Sequence, residues 1–232
     1  LRAWGNPILG VFDSWGNVNT PLSVMRRIAA NRSSEVIVTF GPNWFSRRKE
    51  LNEDIVDDVF GGREYWREVA AAEQDGEELW RAWLVCYRQA LERVGFGYQL
   101  RFEVVPKTGQ PLYLVFGTKH PKGVEVMKDA MWEVDRSDGM RFRDPRVRKA
   151  TAVGQTSLFD DGNLVDPELV ALACQCLEQG PMPVKDLEDW LLLKTSQWRA
   201  RDAMRAVSAL EEEGRLNRPP GRLTRNTVIR LR

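Results

Sequence analysis

The sequence predicts an α/β fold in which a larger sheet domain precedes a small helical one. Three observations carry this. Residues 8–12 (ILGVF) and 36–40 (VIVTF) are short continuous apolar runs of the kind that fill buried strands, and a helical pattern lies between them. Residues 98–105 and 111–119 are two further strand-like runs, joined by the glycine-containing stretch 106–110. From residue 166 onward the pattern changes to three short helices closed by an arginine-rich stretch around Pro219, Pro220 and Gly221.

Taken in order, residues 8–12 are expected as a buried strand. Residues 21–31 follow as a helix, with Pro21 suited to its first turn and Leu22, Met25, Ile28 and Ala29 on one face. Residues 33–40 complete a βαβ unit as the interior strand of a parallel sheet. Residues 41–50 read as a loop and residues 52–72 as an acidic segment broken at Gly61 and Gly62. Residues 77–95 form a long helix with Leu79, Trp83, Cys86, Tyr87 and Ala90 as its stripe, and Gly95 stops it. The two later strands make an antiparallel hairpin, and residues 122–134 another helix. On that helix Glu125, Lys128, Asp129 and Glu133 stand at spacings that predict surface ion pairs. The expected division is a sheet domain over 1–135, a polar linker over 136–164 and a helical domain over 165–232.

With 232 residues and 43% hydrophobic content the chain has enough apolar material for a full core. Its formal net charge of +1 means that any nucleic-acid function depends on uneven charge distribution. No apolar run reaches the length of a membrane span, and no secretory leader is recognisable, so a cytoplasmic protein without a membrane partner is expected. Cys86, Cys174 and Cys176 with the single His120 do not make a zinc pattern; free thiols and no metal are expected. The chain opens on Leu1 just ahead of an apolar strand, so an earlier segment or a processed chain is expected.

Three helices and a basic hairpin are the pattern of a winged helix-turn-helix, whose third helix enters the DNA major groove while the wing follows the backbone. The third helix is expected over 195–214, burying Ala203, Met204, Val207 and Leu210 and exposing Trp198, Arg201 and Arg205. Between residues 194 and 232 ten Lys and Arg face four acids, an excess of six positive charges that favours phosphate contact. The expected nucleic-acid-binding residues are Ser196, Gln197, Trp198, Arg201 and Arg205 on the helix and Arg218, Arg222 and Arg225 on the hairpin. Winged helices also serve protein interaction, and a non-enzymatic regulator is the competing reading. Arg47, Arg48 and Lys49, after the second parallel strand, are further candidate nucleic-acid contacts; His120, Lys119 and Lys122 are expected to order a loop or touch phosphate.

Within the linker, Gly154-Gln155-Thr156-Ser157-Leu158-Phe159-Asp160 resembles the peptide that bacterial replication and repair proteins insert into the sliding clamp. Leu158 and Phe159 would be its anchors and Gln155 its rim contact, with docking of the linker on its own domain as the alternative.

The first strand ends in Asp13-Ser14-Trp15-Gly16. A strand ending in Asp and an aromatic, followed by helix, strand, long helix and antiparallel hairpin, is similar to the second half of Rossmann-like class I methyltransferase folds, in which ligands sit at the carboxyl ends of the parallel strands. There Asp13 would accept the target amine and Trp15 stack on a flipped base. Residues 12–22, 33–47 and above all PLYLVFGTKHPKGVEVMKDAMWEVD (111–135) resemble the three-Cys-motif partner (TcmP) family, with Ser14 and Trp15 standing where the family has Pro and Phe. The resemblance covers most of residues 8–232 and implies a methyltransferase-like domain fused to a winged helix. Its implied setting is bacterial DNA repair or modification at the nucleoid, with a radical-SAM-type three-cysteine protein as partner. An S-adenosylmethionine site would need the family's acidic, Gly-rich N-terminal motif, which has no counterpart here. Either another segment supplies it or the domain is a catalytically silent scaffold; an active base methyltransferase is the alternative function.

Overall fold

A computed structural model describes residues 4–13, 20–47, 52–72, 76–144, 146 and 165–232. Its sheet domain contains β1 (Leu9–Phe12), α1 (Leu22–Ala29), β2 (Glu35–Phe40), α2 (Pro42–Arg47), α3 (Glu53–Phe60), a single 3-10 turn (Arg63–Tyr65), α4 (Arg67–Ala71), α5 (Gly76–Arg93), β3 (Tyr98–Val105), β4 (Leu112–Thr118), α6 (Pro121–Val134) and β5 (Arg141–Arg143). The strand order is β1-β2-β4-β3-β5. β1 runs parallel to β2 and β5 parallel to β3, while β4 is antiparallel to both its neighbours. The sheet is therefore mixed, and β2 is an interior strand with one parallel and one antiparallel partner.

The hairpin forms where the sequence predicts it: the Gly109 amide donates to the Pro106 carbonyl at 2.8 Å, and Gly109 takes a φ of 77° that a side chain would resist. Side-chain alternation then sorts the strands between two layers. Val36, Val38, Phe40 and Val115 face α1, α3 and α5, while Leu100, Phe102 and Phe116 pack with Val124 and Met131 of α6. At the centre of the first layer Phe45 stacks on Trp83 with centroids 4.8 Å apart, and Phe60 and Trp66 close on the same indole at 5.4 and 6.4 Å.

Three expectations change. Residues 8–12 were expected as a buried strand, but β1 is a sheet edge: Phe12 packs into the core while Leu9 and Val11 are 59% and 63% exposed. Residues 42–47 form α2 instead of loop, because Phe45 has an aromatic core to enter. Residues 141–143, expected in the linker, add β5 beside the end of β3, where the Glu103 amide donates to the Met140 carbonyl and the Asp144 amide to that of Val105, both at 2.9 Å. The turn leading into β5 is tied by Asp135, whose carboxylate accepts amides from Ser137, Met140 and Arg141. Burial raises its pKa, and hydrogen bonds with the Asp138 and Ser137 side chains and from the Ser137 and Arg141 amides outweigh that and lower it to about 2.

The C-terminal module contains α7 (Pro167–Leu177), β6 (Met182–Pro183), α8 (Val184–Lys194), α9 (Asp202–Glu212), β7 (Leu216–Asn217) and β8 (Val228–Leu231), with β8 between β6 and β7. Asp166 caps α7 by accepting the Glu168 amide at 2.8 Å, and Pro167 opens it as expected. Leu169, Ala173, Leu187, Leu191, Ala206, Val207, Leu210 and Ile229 fill its core. The three cysteines are buried thiols, and burial pushes Cys86 up to about 11 against the opposing charge of Arg93. Among the described residues no helix is long and apolar enough to cross a membrane.

Trp83→Ala is expected to cost about 3–5 kcal/mol, since it empties the centre of the aromatic layer. Urea unfolding should register this as a lower midpoint at unchanged slope; an unchanged midpoint would show that the layer packs without Trp83.

Candidate functional site

The third helix of the C-terminal module begins at Asp202, seven residues later than the sequence suggests, because residues 195–201 form a tight turn instead. Thr195 Oγ1 donates to the Leu191 carbonyl at 2.6 Å and accepts the Trp198 amide at 3.2 Å. Asp202 accepts the Arg199 amide at 2.9 Å and binds the Arg199 guanidinium through two bonds of 3.0 and 2.9 Å. This turn is seated on α6 of the sheet domain.

Lys128 of α6 carries the seat. It is fully buried, and its Nζ donates to the carbonyls of Leu191 (3.2 Å), Leu192 (2.7 Å), Thr195 (2.9 Å) and Trp198 (2.6 Å). The first two carbonyls belong to the last turn of α8, where no intrahelical donor remains. Burial lowers the Lys128 pKa from 10.5 to about 7, with Asp202 acting in the opposite direction. Around it, Trp132 Nε1 donates to the Gln197 carbonyl at 2.8 Å, Arg199 lies over the Trp132 ring at 4.2 Å, and Arg201 pairs with Asp129 at 2.8 Å. Leu192 enters the same cluster as Leu100 and Phe102, so apolar packing runs from sheet to module.

This placement corrects part of the predicted interface. Trp198 is 2% exposed and packed in the module core, 5.8 Å from Trp132, so it offers no surface for base stacking. Gln197 is spent on Trp132 and on Glu168, and Arg201 on Asp129; Ser196 remains exposed. Arg205 is exposed at 3.9 Å from Asp202. Arg218 is tied down by Glu211 at 2.8 Å and by the Gly221 carbonyl at 2.7 Å. Arg225 pairs with Glu188 on α8, and its carbonyl accepts the Lys185 amide at 2.8 Å. Arg222 stays exposed with no hydrogen bond or ion pair among the described residues.

At the carboxyl ends of the parallel strands, Asp13 is exposed just past β1. Near the end of β3 a cleft of about 130 Å³ is lined by Glu77, Arg81, Arg101, Glu103, Tyr113 and Arg141 among others. Its acids are engaged: Glu103 pairs with Arg141, Glu77 with Arg81 at 3.3 Å, and Asp138 accepts the Met140 amide at 2.8 Å. Trp15, Arg48, Lys49, Gln155, Leu158 and Phe159 lie outside the described residues. Lys119 orders a helix end, donating to the carbonyls of Ala29 and Asn31, both at 2.6 Å. His120 is the cap residue of α6.

Reading α6 as a surface-paired helix therefore missed its central residue. The signal was available: Lys128 falls four residues after Val124 and three before Met131, on the buried stripe. Comparison of the chain with family models, with curated proteins and with solved structures returns no match.

Lys128→Met provides the test of the buried ammonium. Below about pH 7 folded and unfolded chains both carry the proton; between about 7 and 10.5 the unfolded chain retains it while the folded chain releases it. The wild type should thus gain stability relative to Lys128→Met as pH rises through that window. Urea titrations of both proteins that differ by a pH-independent amount would contradict this.

Proposed function

We propose that this chain is a DNA-binding protein in which a methyltransferase-like half sheet carries a winged-helix module, and that it partners a radical-SAM-type three-cysteine protein in DNA repair or modification. The observation that carries the DNA-binding arm is the module's connectivity. Helix, short strand, two helices and a hairpin follow one another, the last strand pairs between the other two, and a cationic loop joins β7 to β8. The methyltransferase-like arm is supported by the parallel β1–β2 pair, the antiparallel hairpin beside it and Asp13 at the carboxyl end of β1. The partner rests on the resemblance of residues 111–135 to three-Cys-motif partner proteins.

The mode of contact follows from what remains accessible. The leading end of α9 is engaged with α6, so reading of base edges by Arg201 is disfavoured. Arg222 lies in the loop that a wing uses to follow phosphates and Arg230 on β8 opposite Asn217 at its base; both are exposed and their side chains have no ion pair among the described residues. Binding led by this loop is mainly electrostatic and weakly selective in sequence.

Base methylation finds less support. β2 leads through Gly41 directly into α2, whose Phe45 is packed in the aromatic layer. The turn after β2 has Gly41 alone and offers no glycine-rich cradle for S-adenosylmethionine, and no chemical step is derived through that group.

Arg222→Ala should weaken duplex binding similarly across sequences and reduce the slope of log affinity against log salt by about one. Arg201→Ala should leave both nearly unchanged. Fluorescence anisotropy over a salt series measures both; the reverse pattern would return recognition to α9. For the partner arm, anaerobic co-expression with a radical-SAM-type three-cysteine protein should yield a co-eluting complex, and separate elution counts against it.

A further inference from the structure

Between the sheet domain and the C-terminal module lies a cleft of about 170 Å³, where the open edge of β3 faces the end of α8. Arg88 of α5, Arg101 of β3 and Lys194 of α8 line it together with Tyr98, Thr195 and Ser196, and no acid is among its lining residues. Three cations from three separate elements thus converge without a carboxylate.

Arg88 is only partly compensated. One of its Nη atoms donates to the Gln99 carbonyl at 3.1 Å, but its Nε is buried with no acceptor. It has no ion pair among the described residues. Burial first, and then the charge of Arg101, lower its affinity for its proton, while Glu92 partly offsets them. A buried N–H left without an acceptor carries an unrecovered desolvation cost. Arg101 also has no hydrogen bond or ion pair among the described residues, and Glu103, two residues along the same face, is taken by Arg141.

The backbone adds donors to this wall. The Glu103 amide points from β3 toward β5, and the two-residue alternation of an antiparallel pair turns the Arg101 amide to the same edge. β5 pairs only with residues 103–105, so it does not reach Arg101. The opposite wall would ordinarily repel an anion, because carbonyls crowd a helix C-terminus. Here the Lys128 amino group occupies the Leu191 and Leu192 carbonyls.

We propose that this cleft is a binding site for a phosphate group, gripped by Arg88, Arg101 and Lys194, with the Arg101 amide as a further donor. The guanidinium forks suit the tetrahedral oxyanion, and Lys194 supplies a mobile point charge. A phosphomonoester and a nucleic-acid strand present this same chemistry. The site does not depend on the wing loop, which lies on another part of the C-terminal module.

Calorimetric titration of the full chain separates the sources. The probes are deoxyadenosine monophosphate, deoxyadenosine without phosphate, and a short single-stranded oligonucleotide. The monophosphate or the oligonucleotide should bind saturably, and deoxyadenosine should not. Arg101→Gln and Lys194→Gln should each weaken binding by about tenfold, with partial recovery in Arg101→Lys. Circular dichroism verifies that each variant is folded, and the exposed Lys194 leaves a usable variant if Arg101→Gln unfolds. Loss confined to the monophosphate identifies a free phosphate ester; loss confined to the oligonucleotide identifies a strand phosphate. No saturable binding of either probe, or affinities that both glutamine variants leave unchanged, overturns the site. Arg222→Ala should not alter monophosphate binding, so failure of the wing reading and failure of this site are distinguishable.

Discussion

The arrangement of the molecule depends on one buried amino group. Lys128 projects from the helix that covers one face of the sheet, and its Nζ collects the carbonyls of Leu191, Leu192, Thr195 and Trp198. A helix end buried against another domain needs donors for its last carbonyls, and a buried lysine needs acceptors. Each solves the other's problem. Three N–H donors shared among four oxygens also fix direction, which apolar packing alone does not. Position and orientation of the C-terminal module are thereby set by the sheet domain, with Trp132 and Asp129 of the same helix adding a bond each, 2.8 Å long.

This constraint governs what the module's surface can offer. In a free helix-turn-helix the turn and the leading end of the last helix are the natural contact surface. Here Trp198 is in the core, Arg199 is held by Asp202 and Trp132, and Arg201 is tied to α6. The same docking creates the cleft between β3 and α8, with cations contributed from both sides. Domain contact thus removes one candidate surface and builds another. On the proposed reading, nucleic acid meets the loop between β7 and β8.

How far the sequence was legible follows from how local each determinant is. β2, the hairpin, α5 and α7 could be read because their apolar periods, Gly109 and the Asp166-Pro167 cap act within a few residues. β5 could not: Arg141, Phe142 and Arg143 are all exposed, and only pairing with β3 makes them a strand. The edge position of β1 depends on which strands stand beside it, which no short run of residues encodes. At the site, the arginine-rich tail was visible, but the role of Lys128 was hidden by its residue type. A lysine between two acids at helical spacing suggests a solvated face; its place on the Val124–Met131 stripe suggests the opposite, and the stripe prevailed. Trp198 misled in the complementary way, because the turn that buries it replaces the first turns of the expected helix.

A count of charges is therefore a poor guide to where a polyanion binds. Of the ten cations between residues 194 and 232, Arg199, Arg205, Arg215, Arg218 and Arg225 are paired with acids of the module, and Arg201 with an acid of α6. Each of these would have to exchange an existing partner for a phosphate, so its gain on binding is a difference between two similar interactions. Lys194, Arg222, Arg230 and Arg232 carry no such debt, and they fall into two groups: one cation in the interdomain cleft, three at the hairpin. Arg88 and Arg101, outside the tail and inconspicuous in its charge excess, join the first group. On the two proposals, polyanion contact falls where folding leaves cations without an acid partner: Arg222, Arg230 and Arg232 at the hairpin, and Lys194, Arg88 and Arg101 between the two domains.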